Sequence, residues 1–259
     1  MSICCRNPEE NRAATSVSSM ATHVSVKLFG LIKTLANNQP DVTVMVNGDR
    51  RVRDLVAVLD TMYPRVAELI HNRRALVSVN QEIAHDDTEI REGDEVALLP
   101  PFAGGSTNGG TCPPAESDRT MLVRIQREDF SVDAEIGRVR ARSTRIGGIA
   151  TFLGTARDWS KGHAVSSITF EHYEGMAQKK LGEIRERALK DFDVIEVLIL
   201  HRYGPIGVGD NIVLIVVGAE HRADAFKACT WCIDELKQIT PIWKLEQTPG
   251  GQVWVEEHP

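Results

Sequence analysis

The 259-residue chain lacks any apolar run approaching the roughly 18–20 residues that a bilayer-spanning helix needs. Its first 19 residues, MSICCRNPEENRAATSVSS, hold no apolar core of the kind a secretory signal requires, and Glu9 and Glu10 suit an organelle transit peptide poorly. Positive charge is not in excess. Thirty Lys and Arg against 36 Asp and Glu leave a net charge of −6, so nothing attracts the whole chain to nucleic acid or to an anionic membrane. An anionic substrate would need a local basic pocket. Cysteine is sparse and odd in number: Cys4, Cys5, Cys112, Cys229 and Cys232 form no regular disulfide framework, which points to a reducing cytoplasm. None lies between residues 20 and 105, which excludes a four-thiolate iron–sulfur cluster there. No internal repeat is present. What remains, 42% hydrophobic and 25% charged, is the composition of an ordinary soluble globular protein of one or two domains.

Residues 1–20 read as a disordered leader, and Met20, where patterned sequence begins, is a second candidate start. From 21 to 105 the pattern predicts a compact α+β domain in the order β-β-α-β-β. Its strands are HVSVKLF (23–29), VTVMV (42–46), LVSVN (76–80) and EVALLP (95–100), and a helix over 52–64 is ended by Pro64. Residues 106–120, STNGGTCPPAESDRT, have the composition of a flexible linker. A larger α+β domain follows over 121–259. Its expected strands lie at 122–126, 147–157, 165–173, 194–204 and 211–220, with helical stretches at 130–141, 175–192 and 221–240. Pro241 stops the last helix, and IWKLEQT, a Pro-Gly-Gly turn and QVWVEE close the chain.

The first domain carries little chemistry except its end, Pro100-Pro101-Phe102-Ala103-Gly104-Gly105. A tail without side chains can thread into a narrow active site, because glycine permits close backbone approach. The plain alternative is that Gly104-Gly105 merely starts the linker. In the second domain, His221 and Arg222 stand where a strand gives way to a helix, and a helix N-terminus favours anions. Arg222 could fork onto a phosphate with His221 beside it, or could instead cap the helix or pair with Asp224 or Glu220. Arg157 is a second candidate for an anion, its alternative being a surface pair with Asp158. Lys237 and Lys244 flank Pro241, which can aim both amines into one pocket. A partly desolvated lysine near another cation acts as acid, base or nucleophile, whereas two lysines at a helix end are more often solvated. Trp231 and Trp243 read as packing, and Cys229 and Cys232 share a helix face that reads as core. His172 is a pocket or structural residue, and Arg202 a pocket or hairpin-support residue.

The segment 23–105, ending EVALLPPFAGG, resembles the small subunit of molybdopterin synthase. Residues 121–255 resemble the large subunit through FLGTARD (152–158), FEHYEGMA (170–177), LHRYGPIGVGD (200–210), AEHRADAFKAC (219–229) and IDELKQITPIWKLE (233–246). The resemblance implies a ubiquitin-like β-grasp fold for the first domain and a sulfurtransferase as the whole. In that family a ubiquitin-activating-like adenylyltransferase uses ATP to turn the terminal glycine into a thiocarboxylate. Two sulfur transfers then convert cyclic pyranopterin monophosphate into molybdopterin. No permanently bound cofactor or metal is implied. By the same likeness the large-subunit domain is a homodimer, and each small subunit docks at an outer end. Gly105, with Gly104, becomes the sulfur carrier. Lys237 lies at the thiocarboxylate, handling acyl and proton transfer, and Lys244 binds or protonates the pterin. Arg157 of a neighbouring subunit, His221 and Arg222 hold the anionic substrate. This chain departs from the family pattern in one respect: Gly105 is followed by Ser106 rather than by a free carboxylate. Cleavage at that bond, an uncut chain served by a separate small subunit, and a cut elsewhere in the linker are the three alternatives, and the exposed linker composition favours the first.

Overall fold

The computed structural model describes residues 22–100, 122–239 and 241–255. The proposed leader, the linker and the Gly104-Gly105 tail lie outside the described residues. In the first domain β1 (Thr22–Leu28) is followed by α1 (Gly30–Leu35), β2 (Asp41–Val46), α2 (Val52–Met62), α3 (Pro64–His71), β3 (Leu76–Val79), β4 (Glu82–Ile83) and β5 (Val96–Leu99). The sheet order is β2-β1-β5-β3-β4, with β1 and β5 parallel and its other neighbours antiparallel. This is a ubiquitin-like grasp: the helices lie across a mixed sheet. Strict alternation drives it, since β1 and β2 bury every second residue. Val24, Val26, Val44 and Leu98 meet Leu55, Val56 and Leu59 of α2 in one core. The pattern had missed α1, α3 and β4. Pro64 ends α2 as expected, but it also occupies the first turn of α3, where its missing N–H costs nothing.

The second domain continues with β6 (Val123–Gln126), α4 (Val132–Arg140), β7 (Gly148–Thr155), the small ribbon β8 (Trp159–Ser160) and β9 (His163–Ala164), and β10 (Ser167–His172). Then come α5 (Glu174–Asp191), β11 (Glu196–Arg202), β12 (Gly204–Gly207), β13 (Asn211–Ala219), α6 (Arg222–Ile239), β14 (Ile242–Thr248) and β15 (Gly251–Val255). Two four-stranded sheets form, β6-β11-β13-β7 and β12-β10-β14-β15. The first is apolar on both faces. Val197, Ile199, Ile215 and Val217 pack under α5 and α6, while Leu198, Leu200, Leu214 and Val216 pack against Val139 of α4. Continuous apolar runs in β11 and β13 therefore mark strands covered on both sides. Among the described residues no helix is long and apolar enough to cross a membrane.

The two domains meet over β14 and the start of α5. Ala97 and Leu99 of β5, with Phe29, pack on Tyr173, Met176 and Trp243. Phe29 lies 5.3 Å from the Trp243 ring at 26° and 5.1 Å from Tyr173. Around this apolar centre run Lys33–Glu171 at 2.7 Å, Trp254 Nε1 donating to Thr34 Oγ1 at 3.1 Å, Tyr173 donating to Glu95, and Lys179 paired with Glu82. The hairpin turn Asn80-Gln81, left-handed at both residues, lays the Gln81 amide where a Cβ on Gly175 would have to sit.

Candidate functional site

Strand β14 alternates between two surroundings. Trp243 faces the first domain, whereas Ile242, Lys244 and Glu246 face a cavity of about 230 Å³ on the other side of the same sheet. Ile168 and Phe170 of β10, in register with Glu246 and Lys244, share that wall. The opposite wall comes from Phe152 and Gly154 of β7, Val213 of β13, His201 of β11, and Ile233, Leu236 and Lys237 near the end of α6. Arg157 and Trp159, in the segment that follows β7, stand at the open side. Apolar walls with a few converging cations suit a flat ring that carries negative charge.

The cavity thus brings together three of the expected site residues: Arg157, Lys237 and Lys244. Arg157 already reaches it from the same chain as the lysines, so the expectation that it comes from a neighbouring subunit is not needed to place it there. It is exposed and, among the described residues, makes no ion pair with Asp158. Lys244 is nearly buried and lies 2.8 Å from Glu246 Oε1, with 13% and 7% of the two side chains exposed. That oxygen has no hydrogen-bond partner of acceptable geometry, so the contact is an ion pair off the hydrogen-bond axis. The nearest charge to Lys244 is therefore a carboxylate rather than the second cation that its sequence setting suggested.

His221 and Arg222 are not in this cavity. They are exposed at the N-terminus of α6, whereas Lys237 lies near its other end, about 22 Å away at 1.5 Å per residue. Among the described residues Glu220 pairs with Arg145 at 2.8 Å, and Asp224 reaches Lys227 at 4.0 Å. Phe226, one turn on, is 63% exposed.

Other candidates resolve as structure. Buried Arg202 donates to the carbonyls of Arg127 (3.3 Å) and Asn211 (2.8 Å), supporting the connections around β11. His172 rests on Tyr203 with ring centroids 4.4 Å apart, and burial lowers its pKa against the pull of Glu174. Cys229 and Cys232 are free thiols in the α6 core, pushed up by burial to about 11 and about 12 and so unreactive. Trp231 packs on Phe192 under Arg187. Sequence reasoning missed Glu246 and His201. The signal for Glu246 was its spacing: two residues from Lys244 on a strand places both on one face.

A ubiquitin-like domain on one face of a sheet, with a lysine-bearing cavity on the other, defines the class: a small ubiquitin-like domain docked on a larger, cavity-bearing α+β domain. Comparison with known proteins gives the family. Residues 125–239 match the family described as MoaE protein, and residues 26–105 match the ThiS family. The molybdopterin synthase catalytic subunit of Ralstonia nicotianae is 43% identical over 134 residues, covering 52% of this chain and 76% of that protein. That of Pyrococcus abyssi is 44% identical over 138 residues, 53% of this chain and 91% of that one. A solved molybdopterin synthase from Staphylococcus aureus is 31% identical, with a TM-score of 0.49 over 52% of this chain and 96% of that one. The chain belongs to the molybdopterin synthase catalytic-subunit family, with a ThiS-family domain fused ahead of it, and is an enzyme of molybdenum cofactor biosynthesis.

Proposed function

We propose that this chain is a molybdopterin synthase in which carrier and catalyst are made as one polypeptide. Sulfur arrives as a thiocarboxylate on Gly105 and passes to cyclic pyranopterin monophosphate in the cavity. The observation that carries this reading is the placement of Arg157, Lys237 and Lys244 in one cavity directly behind the sheet on which the first domain is docked. Gly105 lies five residue steps beyond Pro100, a reach of about 17 Å, against roughly 10 Å between packed layers, so the tail is long enough to round the sheet.

The bond between Gly105 and Ser106 is cut first, and a separate ATP-using adenylyltransferase then loads sulfur onto the freed carboxyl. Lys237 holds the carrier's acyl group and moves its proton. Lys244, fixed by Glu246, and Arg157 hold the anionic pterin. A second copy of the chain supplies His221 and Arg222, which cannot reach the cavity of their own chain. The exposed Phe226 beside them and the exposed Trp159 at the cavity rim suit such a contact.

Intact mass spectrometry of the protein from its native host tests the carrier reading. Two fragments split after Gly105, the smaller heavier in part by one sulfur-for-oxygen exchange, are expected. A single mass of 28.7 kDa in an active protein would overturn it and leave the first domain an inert occupant served by another carrier. Lys237→Ala should abolish turnover while leaving the first domain docked.

A further inference from the structure

The chain holds four tryptophans, and three of them are packed against other rings or between the domains. Trp231 lies on Phe192, Trp243 is clamped by Phe29, and Trp254 packs on the cluster where the domains meet. Trp159 is 60% exposed and lines the open side of the cavity. A lone exposed ring is ordinary on a surface, but this one forms part of a cavity mouth. Its mount is a two-stranded ribbon, β8 with β9, joined to neither four-stranded sheet. Lys161 and Gly162, at φ 45 and φ 85, close the ribbon as the left-handed pair of a two-residue hairpin turn. Its base is fixed: Ala156 N donates to the Asp210 carbonyl at 2.9 Å, the Ala156 carbonyl accepts from Gly209 N at 2.8 Å, and Val165 is buried beside Ile168 and Phe170. Across the ribbon from Trp159 stands Ala164, too small to cover the indole.

The size of the cavity gives this ring a task. About 230 Å³ is below the roughly 300 Å³ at which small-molecule sites begin. On the proposed chemistry the cavity must also admit the carrier's terminus at Lys237. A fused-ring substrate is therefore not wholly contained, and part of it stands in the mouth with Arg157 and Trp159. We infer that Trp159 lies flat on the heterocycle of the bound substrate and completes the site as its outer wall. This rests on the pterin reading of the cavity. Arg157 and Lys244 hold the negative charge, which fixes where the anion sits but not the tilt of the ring. A flat π face fixes the tilt, and with it which carbons face Lys237. The indole thereby favours a flat heterocycle over a sugar phosphate of equal charge, which offers no π face. The second copy proposed above closes on the same rim, so ring contact and assembly have to be read separately.

The test is titration of the full chain with cyclic pyranopterin monophosphate, followed by tryptophan fluorescence and by calorimetry. Stacking should quench the exposed indole. Trp159→Phe keeps a ring, so it should bind within about threefold of the parent while losing most of the quenching. Trp159→Leu keeps apolar bulk without a π face and should bind about 5- to 50-fold more weakly, within the range that aromatic stacking on a base supplies. Sedimentation of both variants should show the oligomeric state of the parent. Unchanged affinity in Trp159→Leu overturns the inference, as does undiminished quenching in Trp159→Phe. So does a loss of affinity that appears only with a change of oligomeric state, which makes Trp159 an assembly residue. In those cases a parent that still binds the pterin leaves the reading of the cavity standing. A parent chain that does not bind the pterin refutes that reading itself, and this inference with it.

Discussion

Removing the charge of Glu246 should strand Lys244 in a wall that is mostly closed to water. The two groups stand 2.8 Å apart with 13% and 7% of their side chains exposed. At an effective dielectric of about 20 their gross attraction is ~6 kcal/mol, while each charge forfeits several kcal/mol of hydration. The missing hydrogen-bond geometry at Glu246 Oε1 removes the directional part of the interaction. The net coupling should therefore be modest, ~1–3 kcal/mol, yet above the ~0.2–1 kcal/mol of exposed pairs. Glu246→Gln alone should cost ~3 kcal/mol, the low end for breaking a buried pair, because the partly exposed lysine can still draw on water. Lys244→Met in the same chain should recover part of that loss. The assay is denaturant unfolding of the parent, both single variants and the double variant, with equal slopes as the check that one transition is being compared. A coupling below ~0.5 kcal/mol would refute the argument, since it would make the pair equivalent to a surface contact.

Three further outcomes follow from the same geometry. Gly30 has φ +54 and would place a Cβ 2.8 Å from Pro100 Cγ and 3.6 Å from Trp243, so Gly30→Ala should cost ~1–3 kcal/mol, shift the base of the tail and slow sulfur transfer in single-turnover assays. Burial pushes the Glu95 carboxyl up, but hydrogen bonds from Lys27 and Tyr173 outweigh it and hold it below the usual range. A depressed carboxyl contributes stability that is full above its ordinary value of about 4.3 and is lost as pH falls through the folded value. Denaturant unfolding should accordingly show this contribution intact from pH 8 to about 5 and lost below about 4.3; its loss near neutral pH would contradict the assignment. Mixing Lys237→Ala with Arg222→Ala chains should restore about one quarter of parent activity, because half of the randomly mixed symmetric dimers carry one intact composite site. No recovery would mean that His221 and Arg222 do not serve a neighbour's cavity.

Much of the architecture was legible because alternation and apolar runs are local. β1, β2, β11 and β13 announce themselves, the first two as half-buried strands and the last two as strands covered on both faces. The six-residue α1 was too short to show a period, and α3 was hidden because Pro64 both stops one helix and starts the next. The division of the second domain into two sheets depends on pairings such as Phe170 with Lys244, which no local pattern carries. Of the candidate site, the lysines and Arg157 were legible from chemistry and likeness. Glu246 and His201 were not, because a buried polar residue in a strand looks the same from sequence whether it faces a cavity or a core.

One sheet explains why the docked first domain and the cavity belong to a single device. β14 puts Trp243 toward the first domain and Lys244 and Glu246 toward the cavity, so a shift of this strand is felt on both sides at once. Trp243 is clamped by Phe29, and β14 pairs with β10, which carries Glu171 to Lys33 and Phe170 to His201. Packed layers respond to displacement as units, because interiors are close-packed. Docking of the first domain therefore sets the placement of Lys244 and of the Phe170 ring beside His201. A change confined to the docking face, such as Gly175→Val against Gln81, should then weaken pterin binding without touching any cavity residue. Equal pterin affinity in docked and loosened chains would separate the two faces and refute this coupling.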